Sequence, residues 1–237
     1  MDLKEEISRD ISEIFKQNWH VREEQNFPSS ANMALESGVK IDATMLCADL
    51  TVSSKFVTDF EQRTAGKVVR IFLRCIVRLI TASGGAVTDF DGNKVVGIFL
   101  GDMRNTNAAT CALKINYVIT KMIAPNLREY FANAKESGFS ISHCVGIDTG
   151  PVMAIRPGLQ STNDLIWIGR PPNLTAKLSE IRTEPYRTYI SEDAFFMLFE
   201  QAKFNPDNEK QLMWEENHYN YLGEQRKVYR SNWNWEP

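Results

Sequence analysis

Three short stretches of the chain carry side chains able to do chemistry. In Cys47-Ala48-Asp49-Leu50-Thr51-Val52-Ser53-Ser54 a carboxylate ends an apolar run and small hydroxyl residues follow it. Asp49 so placed is an anionic ligand for a hard cation. The free N–H groups at the start of the next helix, over Thr51, Val52, Ser53 and Ser54, can cradle a metal-bound polyphosphate. An ordinary helix N-cap explains the same residues equally well. The second stretch runs from Gly84-Gly85 through Asp89, Asp91, Gly92 and Asn93 to Phe99. The third is Gly169-Arg170-Pro171-Pro172-Asn173-Leu174-Thr175-Ala176-Lys177. Asn173 and Lys177 are four apart on one predicted helix, so they share a face. An amide and a cation there could hold a ribose and a phosphate, or be plain surface residues.

The elements that must position these side chains follow from periodicity. Leu3, Ile7, Ile11, Ile14 and Phe15 make one apolar stripe and predict a helix over 3–20. Residues 22–40 read as polar and irregular, broken at Pro28-Ser29-Ser30. The run at 44–48 predicts a doubly buried strand ending at Asp49. Val69, Phe72, Leu73, Ile76 and Ile80 give the apolar face of a helix, and Arg70, Arg74 and Arg78 its solvated face. A hairpin with arms at 86–91 and 94–100 turns at Gly92-Asn93. A helix over 105–124 is expected to stop before Pro125. Phe139, Ile141, His143, Val145 and Ile147 alternate on one strand face, where His143 reads as a packed core residue. Gly150-Pro151 is expected to turn the chain into a strand at 152–155, and another follows at 165–168. Pro171-Pro172 opens a helix through Ile181, then come a strand at 187–190 and a short helix at 193–199. Trp214, Trp233, Trp235, Tyr219, Tyr221 and Tyr229 make the last stretch too aromatic for disorder, so edge strands packing on the core or on a partner are expected. The sum is an α+β fold with a mixed, largely antiparallel sheet flanked by helices.

Composition excludes several classes. Of 237 residues, 27 are Lys or Arg and 30 are Asp or Glu, a net charge of −3, with no basic block. Stable nucleic-acid coating and polybasic membrane binding are disfavoured. No apolar run is long enough to span a membrane and the N-terminus lacks the order of a secretory signal, so a cytoplasmic location is expected. Cys47, Cys75, Cys111 and Cys144 are isolated, without zinc-ligand spacing, and read as reduced, buried thiols. Neither GxxxxGK[ST] nor GxGxxG occurs, which disfavours P-loop and Rossmann sites.

In this order and at these separations, the stretches resemble the catalytic domain of class III nucleotide cyclases over roughly residues 41–195. The family pattern has an Asp after the first strand, a hairpin bearing Gly-Asp, a Gly-Ile-x-x-Gly strand and a Gly-x-x-x-Asn-x-x-x-Arg helix. Here these are Asp49, Gly92-Asn93, Gly146-Ile147-Asp148-Thr149-Gly150, and Gly169 with Asn173 and Lys177. The resemblance implies a ferredoxin-like core and two divalent cations, Mn²⁺ or Mg²⁺, held by two carboxylates. It implies attack of a ribose 3′-oxygen on the α-phosphorus with loss of pyrophosphate. On it, Asp49 and the Leu50 carbonyl take the metal role, Asn173 orients the ribose and Lys177 stands where an Arg meets the phosphates. Arg170, opening that helix, is a further nucleotide-binding candidate. The metal residues and the Asn–cation pair come from different chains in the family, so a head-to-tail homodimer with sites across its interface is implied. The chain divides accordingly into an extension at 1–40, a catalytic domain at 41–200 and an aromatic extension at 201–237.

Three departures bear on the activity. Asn93 stands where the family has its second metal-binding Asp, and a neutral amide is a poorer ligand for a hard dication. An inactivating Asp→Asn change, Asp91 as the substitute ligand, and a degenerate domain all remain open, the first two favoured. Lys177 keeps the charge of the family Arg without its planar fork. The positions that select a purine hold Asp89 and Ile166, neither offering the usual contacts to adenine. With the short length and the Asp91-Gly92-x-Lys94-Val95-x-Gly97-Ile98-Phe99 hairpin, this resembles the stand-alone pyrimidine cyclases of bacterial antiphage defence, the Pycsar type. The resemblance implies a cyclic pyrimidine nucleotide, cyclic UMP or cyclic CMP, and a separate effector protein activated by it. No residue decides between the two bases, and UTP conversion to cyclic UMP is the favoured expectation. The alternatives are a cytidylate or adenylate cyclase, a non-catalytic nucleotide-binding homodimer, and a binding module that uses the aromatic tail.

Overall fold

A computed structural model describes residues 2–52, 62–130, 141–158 and 165–237. Its first helix, α1 (Leu3–Lys16), presents Leu3, Ile7, Ile11 and Ile14 to solvent. It ends earlier than its stripe predicts because β1 (His20–Glu23) begins there and pairs in parallel with the start of β2 (Ser37–Val52). The stretch 22–40 is therefore not wholly irregular. Buried Val39, Ile41 and Ala43 alternate with exposed Lys40 and Asp42, a period of two that the polar composition hides.

The remaining elements run in order. α2 (Gln62–Ala82) buries Val68, Phe72, Ile76 and Ile80. The hairpin arms are β3 (Ala86–Asp91) and β4 (Lys94–Phe99). α3 (Arg104–Tyr117) passes through a π-helical stretch, Val118–Ile123, into α4 (Ala124–Tyr130). Pro125 does not stop this helix, because it falls in the first turn of a new α segment, where its missing N–H costs little. β5 (Ile141–Ile155) continues straight through Gly150-Pro151, where a turn was expected. Gly150 takes φ 145, which keeps the backbone extended. Then come β6 (Ile166–Ile168), α5 (Arg170–Ser179), β7 (Thr188–Ser191), α6 (Glu192–Phe196) and α7 (Glu200–Lys203). α5 stops two residues before Ile181, and α6 before Met197. The chain closes with β8 (Phe204–Asn205), β9 (Asn208–Leu212), β10 (Glu215–Tyr221) and β11 (Glu224–Ser231).

These elements fall into two compact units. One comprises Met1–Ile41 with Met153–Ile168, and contains the β1–β2 pairing, the β5–β6 pairing and a small core of Met33, Val39 and Ala154. The other comprises Asp42–Val152 with Gly169–Pro237. Its sheet runs β10-β11-β7-β5-β2-β4-β3, parallel between β5 and β7 and antiparallel at β2–β4, β3–β4, β7–β11 and β10–β11. Alternate residues of β2 and β5 build its two cores. Leu46, Ala48, Leu50, Val145 and Ile147 pack with α2 and α3, while Cys144 packs with Leu174 and Leu178 of α5. The α+β class read from the sequence is the observed one, with a mixed sheet between helices. Cys47, Cys111 and Cys144 are buried free thiols, and Cys75 is half-buried instead.

Candidate active site

Helix α5, which carries Asn173 and Lys177, lies unusually close to the sheet. Gly146 on β5 makes that approach possible. A Cβ at this position would strike the Thr175 carbonyl oxygen and come within 2.7 Å of the Ser179 nitrogen. The Cys144 thiol donates to the Leu178 carbonyl at 3.4 Å, and Ser179 Oγ lies 3.3 Å from Cys47 Sγ. Burial pushes the Cys47 thiol up to about 11, so it is a packing group and not a nucleophile. At the helix start, Arg170 forks onto buried Asp148 at 3.0 and 3.3 Å and also donates to the Thr149 carbonyl and Asp193. Its hydrogen bonds thus fasten α5 to β5.

Asp49 lies near the end of β2, on the sheet face toward α5, and is only 4% exposed. Its Oδ2 accepts from Arg182 Nη2 at 2.6 Å and its Oδ1 from Asn93 Nδ2 at 3.0 Å. The same Asn93 amide nitrogen donates to the Leu50 carbonyl, and the Leu50 N–H donates to the Asn93 carbonyl at 3.1 Å. Next to Asp49 across the sheet is Lys94, its register partner. Lys94 Nζ reaches Glu180 at 3.0 Å, and Lys177 Nζ reaches the other oxygen of Glu180 at 3.1 Å. Those two hydrogen bonds hold the Glu180 carboxyl below its usual range. Burial works to lower the Lys94 ammonium, but the bond to Glu180 and the nearby negative charges outweigh it and hold it above its usual value.

The structure thus brings Asp49, Leu50 and Asn93 together, and links Lys177 to that cluster through Glu180 and Lys94. Asn173 is exposed and donates to the Gly169 carbonyl at 3.0 Å. Asp91 is exposed and in register with Lys94, so Lys94 stands between it and Asp49, with roughly 10 Å across two strand spacings. The tight turn at Gly92-Asn93 means that Asp91 and Asn93 do not lie on one continuous strand. Asp89 is exposed and accepts from the Phe90 N–H at 2.8 Å. Ile166 is exposed on β6, in the other compact unit. Thr51 Oγ1 is buried with no partner among the described residues, the backbone of Val52 ends β2, and Ser53 and Ser54 lie outside the described residues. Lys94, Glu180 and Arg182 were not singled out by sequence reasoning. Hairpin register could have found Lys94, but charged residues just past a helix end ordinarily read as solvated C-terminal caps.

Asp49 Oδ1 and the Leu50 carbonyl oxygen converge on one point, the Asn93 amide nitrogen. Two hard oxygen donors converging at a buried strand end fit a divalent cation such as Mg²⁺ or Mn²⁺. Asn93 supplies no second negative charge. Among the described residues no group of three or more His, Cys, Asp or Glu side chains gathers.

No family model matches the chain. Three curated relatives do, along their whole lengths. A uridylate cyclase of Rhodovulum sp. (strain MB263) is 35% identical over 234 residues, 98% of this chain and 97% of the relative. Those of Xanthomonas perforans and Burkholderia cepacia are 35% and 33% identical, each over 99% of both chains. The chain belongs to the uridylate cyclase family. Its enzyme class is therefore nucleotide cyclase. Solved structures of adenylyl and guanylyl cyclases share the fold of this chain. The guanylyl cyclase Cya2 aligns with TM-score 0.59 at 17% identity, covering 84% of this chain and 96% of that one. A bacterial light-regulated adenylyl cyclase aligns with TM-score 0.62 at 20% identity, covering 82% and 52%. In this member of the uridylate cyclase family no described helix is long and apolar enough to cross a membrane.

Proposed function

We propose that the protein is a uridylate cyclase acting as a head-to-tail homodimer. It converts UTP to 3′,5′-cyclic UMP and pyrophosphate. The 3′-oxygen forms a bond to the α-phosphorus, the bond from that phosphorus to the bridging oxygen of pyrophosphate breaks, and the 3′-hydroxyl proton passes to solvent water. The observation that carries this reading is the convergence of Asp49 Oδ1 and the Leu50 carbonyl at a buried strand end, in a chain of the uridylate cyclase family.

Asp49 and the Leu50 carbonyl would hold Mn²⁺ or Mg²⁺, which would supply charge neutralisation for the triphosphate and a more acidic 3′-hydroxyl. The family's second cation would find only a neutral amide at Asn93, with Asp91 a strand farther out. Asn173 of the other protomer orients the ribose, and Lys177 meets developing charge on the phosphates. Both side chains are exposed on α5, as residues that serve a partner's site must be. Thr51, Val52, Ser53, Ser54, Asp89, Ile166 and Arg170 belong to this proposal as nucleotide-binding positions. So do the division at residues 40 and 200, a cytoplasmic location, antiphage signalling and a separate effector activated by cyclic UMP.

One observation favours a second reading. The Asn93 amide fills the point at which the two oxygens converge, as a non-catalytic nucleotide-binding homodimer would allow. Incubating the intact protein with each of the four nucleoside triphosphates and Mn²⁺, with Asn or Asp at position 93, separates the readings. The expected product is cyclic UMP, and Asn93→Asp is expected to raise turnover by orders of magnitude. Cyclic CMP or cyclic AMP as the main product overturns the choice of base. Nucleotide binding without pyrophosphate release by Asn93→Asp establishes the non-catalytic reading.

A further inference from the structure

Helix α5 is fastened to the sheet by an arginine at each end. Arg170, its first residue, holds Asp148 on β5. Arg182, three residues past its last, holds Asp49 on β2. The second link touches the candidate cation ligand itself. Arg182 Nη1 donates to the Ser179 and Ile181 carbonyls at 2.6 and 2.9 Å, oxygens left without partners where the helix ends. Its Nη2 donates to Asp49 Oδ2 at 2.6 Å.

We infer that Arg182 is a positioning residue: anchored on the end of α5, it fixes Asp49 so that Oδ1 alone faces the Leu50 carbonyl. This rests on the reading of Asp49 as a cation ligand. Two consequences follow, of opposite sign. A permanent positive charge on Asp49 opposes a free dication there, because a like charge within ~4–6 Å shifts a binding equilibrium by about tenfold or more. The same contact holds the carboxylate in the orientation that turnover needs, and ties it to the helix bearing Asn173 and Lys177. Removal of Arg182 therefore tightens cation binding and slows catalysis. A residue that only stabilised the fold would weaken both.

The test is Mn²⁺ binding to the full-length protein, read from the electron paramagnetic resonance signal of free Mn²⁺. It is paired with steady-state turnover of UTP at saturating Mn²⁺. Arg182→Met is expected to bind Mn²⁺ about tenfold more tightly, while kcat falls about tenfold or more with little change in KM. Arg182→Lys is expected to fall between, since an ammonium keeps the charge but cannot span two carbonyls and a carboxylate at once. Unchanged or weaker Mn²⁺ binding by Arg182→Met overturns the inference. If that variant does not fold, Arg182→Gln carries the same expectation, and failure of both to fold makes Arg182 a structural residue and overturns it too. Asp49→Asn keeps the two readings apart. Unchanged Mn²⁺ binding there removes Asp49 as a ligand, whereas lost binding there with no change in Arg182→Met removes Arg182 alone.

Discussion

Two buried aspartates in the same compact unit hold arginines and differ in how they do so. Asp148 is fully buried, and the Arg170 fork meets both of its oxygens. Burial raises its carboxyl, while hydrogen bonding to Ser191 and the Arg170 charge pull the other way. Asp49 is nearly as buried, yet its two oxygens are met by residues from two separate elements, Arg182 after α5 and Asn93 in the β3–β4 turn. Beside it is a carbonyl aimed at the same point. At Asp148 both oxygens are committed to one guanidinium, and Ser191 adds to that hold. At Asp49 each oxygen has its own partner, so one contact can be exchanged while the other is kept. Burial alone therefore does not separate a structural acid from one able to take a cation, the role proposed for Asp49; the distribution of its partners is what differs.

Substituting each aspartate is the strongest test of that difference. Asp49→Asn is expected to lower turnover by more than about a hundredfold, beyond what loss of an outer-shell partner costs. Its stability should change by about 1 kcal/mol, because Arg182 is one-third exposed. Asp148→Ala is expected to invert the ranking, costing about 3 kcal/mol in denaturant unfolding as Arg170 loses its buried partner, with a smaller loss of turnover than Asp49→Asn because α5 is loosened while Asp49 is kept. Asp193 and the Thr149 carbonyl keep the cost at the lower end. If Asp49→Asn proves the unstable variant and Asp148→Ala the inactive one, the roles are exchanged.

The difference between the two acids was only half legible in the sequence. Asp49 could be read, because a carboxylate ending an apolar run in a strand–helix context has a chemical meaning. Asp148 fell within a matched glycine pattern but drew no role of its own. Arg170 reads from the sequence as a nucleotide contact, and its hold on Asp148 is not legible there. Arg182 is not legible, since its partner is 133 residues away and is met only once α5 packs on the sheet. The fold class followed from alternating apolar patterns. The polar parts of β1 and β2 did not, because strand hydrogen bonds are made by backbone and need no apolar side chain. The uninterrupted β5 likewise depended on a dihedral that Gly150 permits but does not announce.

Gly146 lies under the middle of α5, where the arginines hold its ends. A methyl group here meets the backbone of Thr175 and Ser179, which cannot rotate away. Gly146→Ala is expected to cost about 3 kcal/mol, the upper end for overpacking, seen as a lower denaturant midpoint at unchanged slope. Turnover should fall with it, since α5 carries Asn173 and Lys177, while Mn²⁺ binding at Asp49 is largely spared. Equal loss of Mn²⁺ binding would show that Asp49 depends on the whole helix and not on Arg182 alone.

His143 is a third buried polar group, and it differs from both aspartates in its surroundings. It lies on the other face of β5 from Asp148, and neither ring nitrogen has a hydrogen-bond partner among the described residues. Burial lowers its pKa from 6.5 to about 3, with the charges of Arg187 and Arg182 adding to the effect. Between those values the unfolded chain takes up a proton that the folded protein refuses. Stability therefore rises with pH across this window. It is complete above 6.5 and is lost on acidification by up to about 1.4 kcal/mol per pH unit. His143→Leu removes the titrating group. Near neutral pH it should cost less than about 1.5 kcal/mol. At about pH 5 it should spare the variant a loss of about 2 kcal/mol that the unsubstituted protein suffers. Thermal unfolding of both proteins across this range reads the difference. Parallel acid losses would mean that His143 finds a partner for its proton, and that burial without a partner is not what distinguishes it from the two aspartates.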